Sequence, residues 1–137
     1  VNNVLNHVSI LAVLVSAIAV MVLGFVWFAV IFKKQYAVVL GRVGQPDAMG
    51  PLFIVGPSIC VLVTALTMAY LMSNLEIASL NQALGFGAVV GIGLIGATAM
   101  NMAINPNIPR PITYGLLSSA YFFVSSVLIS ALVYLIS

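Results

Sequence analysis

The charged residues of this chain fall between its apolar runs and never inside them. Lys33 and Lys34 close the first run. Arg42 and Asp47 sit in the Gly/Pro-containing stretch from Gly41 to Pro51. Glu76 divides the second run from the third, and Arg110 lies in the break from Asn105 to Pro111. A soluble globular chain has about a quarter of its residues charged. Here the share is 4 %, against 64 % hydrophobic residues, so the main solvent is lipid and not water. The uncharged runs cover roughly 8–32, 52–72, 82–104 and 112–136. At about 1.5 Å per residue, each crosses a hydrocarbon core of about 30 Å as a helix. Membrane strands need only about 10 residues and alternate in polarity, which these runs do not. The fold class is therefore all-α: a polytopic membrane protein, a four-transmembrane-helix bundle, with 1–137 read as a single domain.

The first run is read as a retained span and not a signal peptide, because no Lys or Arg precedes it and its apolar stretch is too long. With four spans, the 1–2 and 3–4 connections share one side. Lys33, Lys34, Arg42 and Arg110 all fall there, and the 2–3 connection offers only Glu76. Basic short loops stay cytoplasmic, which predicts both termini outside. The 33–44 stretch has two readings. Tyr36, Val39, Leu40 and Val43 recur at helical spacing, as in a short helix lying in the interface, with Lys33, Lys34 and Arg42 toward headgroups. Alternatively the first helix simply continues into water. The run Gly44-Gln45-Pro46-Asp47 then makes a turn. Ser79 or Asn81 is expected to cap the third span. Pro57 either sits in the first turn of span two or lies one turn inside and kinks it.

Packing in lipid depends on close backbone approach, and small residues permit it. Span three carries Gly87 and Gly91 four apart, and Gly93 and Ala97 four apart. These are the expected helix-packing residues. Span four has a serine stripe, Ser119, Ser126 and Ser130, with Ser118 and Ser125 beside it. Such serines bond back to their own carbonyls and are weak signs of a water path. The lone cysteine, Cys60, is expected to be a small buried residue.

Chemistry-bearing groups are few. His7, the one histidine, stands beside Asn6 with no Cys, Asp or Glu near it in sequence, so no metal site is assigned. Asp47 and Glu76 are expected on opposite membrane faces and cannot form an acid/base pair. No serine has a recognisable base. The chain is therefore read as no enzyme, with no catalytic residues and no cofactor. No Asp, Glu, Lys, Arg or His lies within a span, which argues against a proton-coupled pump or voltage sensor. Asn101 is the strongest polar group in a span. Trp27 and Asn101 are expected at similar depth on the cytoplasmic half, in a polar cluster with Thr98 and Tyr121. The competing reading is an indole anchored in the headgroup layer.

The run from Gly24 through Trp27, Phe28, Phe32 and Lys34 to Leu40-Gly41 resembles the signature of a bacterial family of small four-span membrane proteins of unknown function. Thr98, Asn101 and Arg110, and Tyr121 in the last span, fit the same resemblance. The chain departs from it in carrying Lys33 where a Gly is usual, Phe28 where a Tyr is usual, and a Pro-rich 3–4 loop. The resemblance implies a multi-pass protein of the bacterial inner (plasma) membrane and carries no activity. The function expected is a structural or accessory membrane subunit. Its expected partners are membrane lipids, copies of itself and a larger membrane complex, and no nucleic acid. The alternative is an oligomeric pore or carrier for a small solute.

Overall fold

The structure, a computed structural model, describes residues 7–46 and 50–137. Asn6 and Asp47 lie outside the described residues. Helices α1 (Ile10–Ile31), α3 (Leu52–Asn74), α4 (Leu80–Ala103) and α5 (Pro111–Ile136) are long and apolar enough to cross a membrane. A shorter helix, α2, covers Lys33–Val39. No strand occurs among the described residues. The span limits depart from the sequence expectation by no more than two residues.

Helix ends follow local chemistry. Ser9 caps α1, its hydroxyl accepting from the Ala12 N–H at 3.2 Å. Ser79, and not Asn81, caps α4. Its hydroxyl accepts from the Gln82 N–H at 3.2 Å, while the Gln82 amide oxygen accepts from the Ala78 N–H at 2.8 Å. This reciprocal pair resembles a capping box. At the end of α2, Gly41 takes the left-handed conformation (φ 68°), and the Arg42 N–H donates to the Ala37 carbonyl at 2.8 Å. The end of α3 repeats this closure with Glu76 in the left-handed position (φ 52°) and the Ile77 N–H on the Met72 carbonyl at 3.3 Å. Glycine is the usual residue there, because it has no Cβ to clash. Pro57 lies inside α3, so it is not a first-turn proline.

The 33–44 stretch is not a straight continuation of α1. The chain bends at Phe32, and α2 returns against the start of α5. The Arg110 N–H donates to the Val39 carbonyl at 3.3 Å, and Tyr36 stacks on Tyr114 with ring centres 6.3 Å apart. Val39, only 1 % exposed, plugs this corner.

Helix α5 is the axis of the bundle. It packs along α4 and α1 and also touches α2 and α3, while α3 rests mainly on α1. The buried residues of α3 are Ala65, Met68, Ala69 and Met72, all in its second half. Its first half has no buried residue, and Cys60, expected to be buried, is exposed there. Packing reaches this half only at its inner end, where Val61 and Leu62 rest partly buried against the core. The buried residues of α1 and α5 are mostly small or medium: Ala12, Ser16, Ala17 and Val20 on the first, Ser125 and Ile129 with the larger Tyr121 on the second.

Candidate functional site

Both α1 and α4 contain a wide π turn, at Val26–Ile31 and Val90–Gly96. Such turns are rare and often mark functional positions. Here both face one short segment of α5, Leu117 to Tyr121. The Trp27 indole Nε1 donates to the Leu117 carbonyl at 3.3 Å. The Ser119 hydroxyl donates to the Gly96 carbonyl at 2.9 Å. The Tyr121 hydroxyl donates to the Val20 carbonyl at 3.4 Å. A backbone carbonyl has two lone pairs, so each can accept a side-chain donor beside its helical bond. Three helices are thus tied at one level by side-chain-to-backbone contacts.

An aromatic chain surrounds these ties. Trp27 lies 4.9 Å from Phe32 and 6.3 Å from Tyr121, between ring centres. Phe28 meets Tyr121 edge-on at 5.1 Å and Tyr36 at 4.8 Å. Tyr36 continues to Tyr114. Offset and edge contacts suit the ring quadrupoles and add about 0.5–1.5 kcal/mol per pair beyond burial. Gly24 makes room for this arrangement, since a Cβ there would stand 3.0 Å from the Tyr121 oxygen. Gly24, Trp27, Phe28, Phe32 and Tyr121, on which the family resemblance was drawn, therefore meet in one place.

The structure brings together Trp27 and Tyr121 but not Thr98 and Asn101. Both of these are exposed on the outer face of α4, where the Thr98 hydroxyl donates to its own helix at the Leu94 carbonyl, 2.7 Å away. The π turn explains the correction. The buried face of α4 runs Ala83, Gly87, Gly91, then Gly96 and Ala103. The step from Gly91 to Gly96 is five residues, where an unbroken helix would take three or four. One extra residue turns the rest of the helix by about 100°, which carries Thr98 and Asn101 outward.

The two small-residue pairs face different ways. A Cβ on Gly87 would fall 2.7 Å from the Ser126 carbonyl oxygen and 2.8 Å from the Val127 Cα. On Gly91 it would fall 2.9 Å from the Phe123 Cα. These two glycines hold α4 against α5. A Cβ on Gly93 would meet nothing within 4 Å, and Ala97 is exposed. Gly96 and Gly115 take the inward roles instead: Gly96 lies against Ser119, and Gly115 lies against Met100 and Ala103. Both are small by residue type, but the inward facing of Gly96 depends on the π turn, which leaves no periodic trace in an apolar run.

The hydroxyls at this level are ties and not activated nucleophiles. Ser119, Tyr121 and Ser125 each donate to a carbonyl oxygen, and among the described residues no imidazole, carboxylate or amine is hydrogen-bonded to them. Ser16, wholly buried on α1, has a hydroxyl without a partner among the described residues. Outside the spans, burial pushes the Tyr36 phenol above the usual tyrosine value, the neighbouring Tyr114 adds to this, and Arg42 opposes it. At the other end of the bundle a half-open cavity of about 200 Å³ is bordered by His7, Ser9, Met72, Ser73, Tyr134 and Ser137. Among the described residues, no three His, Cys, Asp or Glu side chains gather as a metal site would require.

Four apolar spans folded about a central α5, and tied at an aromatic corner, define a multi-pass membrane bundle. The family described as "Protein of unknown function (DUF1761)" matches residues 11–134, and the chain belongs to it. No curated protein and no solved structure matches the chain.

Proposed function

We propose that the protein is a structural or accessory subunit of the membrane that self-associates through the outer face of α4. One observation carries this reading: the space over Gly93 is open, and Ala97 and Asn101 continue the exposed face at four-residue steps. Between helices in lipid there is no hydrophobic drive, so association uses backbone approach and polar contacts. Gly93 and Ala97 offer the first, and the Asn101 carboxamide offers the second. The one-sided placement of Lys33, Lys34, Arg42 and Arg110 favours their connections on the cytoplasmic side of a bacterial inner membrane, with both termini outside. A larger membrane complex is the other partner that this face suits.

The interior favours this reading over a pore or carrier. Ser119, Ser125 and Ser130 bond to backbone carbonyls, and Gly87 and Gly91 close the α4–α5 seam. Native mass spectrometry in mild detergents tests the proposal. The wild type is expected as an oligomer and Gly93→Leu as a folded monomer. Only monomer in every mild detergent would refute self-association. Solute flux through liposomes carrying the wild type would favour the pore instead.

A further inference from the structure

The basic end of the bundle is shaped by the fold as well as by the sequence. Had α1 run on straight, Arg42 would stand about 16 Å beyond Ile31, out in water. Instead α2 turns back, and the Val39 carbonyl accepts from the Arg110 N–H. Gly41 lies against Pro109, where an added Cβ would stand 3.0 Å from the Pro109 Cγ. Arg42 and Arg110 each follow directly on one of these two touching residues. Arg110 also directly precedes α5, and Lys34 lies three residues past the end of α1. Three cationic side chains, all exposed, therefore share one depth, at the ends of the spans. That is the depth of lipid phosphates. A soluble polyanion is better met by cations projected into water, and this fold draws Arg42 back from there. In the two connections only Asp47 carries opposite charge, and Glu76 belongs to the other end.

We propose that this end is a docking surface for the headgroups of anionic phospholipids, with Lys34, Arg42 and Arg110 contacting the phosphates. Apolar Val38 and Val43, both exposed beside these cations, are suited to meet the acyl-chain boundary. The proposal is independent of self-association through α4.

The test measures binding of phosphatidylglycerol and of phosphatidylcholine with the same acyl chains to the full chain in neutral detergent. The readouts are native mass spectrometry and thermal protection. Phosphatidylglycerol is expected to bind at least about tenfold tighter, with the preference falling as salt rises. Lys34→Gln/Arg42→Gln/Arg110→Gln is expected to bring the two lipids within about twofold. Each single variant should lose part of the preference, which keeps the test decisive if the triple variant fails to fold. Equal binding of the two lipids to the wild type would overturn the proposal. So would a folded triple variant that keeps the preference. Equal thermal protection by inorganic phosphate at matched concentration would overturn it in favour of a free-anion site.

Discussion

The phenol of Tyr121 occupies the space that a side chain at position 24 would need: a Cβ on Gly24 would lie 3.0 Å from the Tyr121 oxygen, which reaches past it to the Val20 carbonyl. Two effects then oppose each other in Gly24→Ala. Removing a mid-helix glycine favours the helix by about 1 kcal/mol, while displacing the phenol costs its hydrogen bond, also about 1 kcal/mol. The single variant should be near neutral. Tyr121→Phe alone should cost about 1 kcal/mol, and Gly24→Ala placed on it should then stabilise. A double-mutant cycle on thermal unfolding in detergent measures this coupling. Strict additivity would remove the link between the two residues.

Gly87 and Gly85 should respond with opposite signs to alanine. The Gly87 methyl would press on the backbone of α5 at Ser126 and Val127, which cannot step aside. Overpacking of this kind costs about 1–3 kcal/mol. Gly85 has nothing within 4 Å of an added Cβ, so its alanine keeps the helix-propensity gain of up to about 1 kcal/mol. Melting temperatures that move the same way for both variants would contradict the α4–α5 seam described here.

Glu76 holds a left-handed backbone that costs a residue with a Cβ about 1 kcal/mol or more. Glu76→Gly should therefore raise the unfolding temperature, although part of the gain is lost to glycine's freedom in the unfolded chain. A variant less stable than the wild type would show that the Glu76 side chain itself contributes to the α3–α4 connection.

Tyr36 predicts an alkaline weakness. Its pKa in the folded chain is raised above the ordinary tyrosine value of 10.0 by burial and by Tyr114. The folded state then holds the proton that the unfolded state gives up. This contribution is complete below the ordinary value and is lost as pH rises through it and beyond. Tyr36→Phe should flatten the fall in stability above pH of about 10. An identical alkaline profile would mean that the corner between α2 and α5 does not shield the phenol.

The four spans were legible because charge and apolar length are one-dimensional signals. Lys33, Glu76 and Arg110 mark span ends whichever way the helices face. Depth placed Trp27 and Asn101 on the basic half of their spans, but depth alone does not say which side chains meet. Facing was another matter. Thr98 and Asn101 would fall on the buried face of an unbroken α4, and nothing in Val90 to Gly96 announces the extra residue in that turn. The exposure of Cys60 was equally hidden, because a residue in an apolar run looks the same whether a helix or lipid covers it. The return of α2 needed the pairing of Val39 with Arg110, a long-range hydrogen bond that no local pattern encodes.

Disulfide cross-linking in native membranes tests self-association through α4 most directly. In a Cys60→Ser background, a single cysteine is placed at Gly93 on the outer face of α4, or at Phe53, an exposed residue of α3, as the comparison. Under mild oxidation the Gly93→Cys protein is expected to form a cross-linked dimer well before the Phe53→Cys protein does. Cross-linking at position 93 no faster than at position 53 would contradict the account.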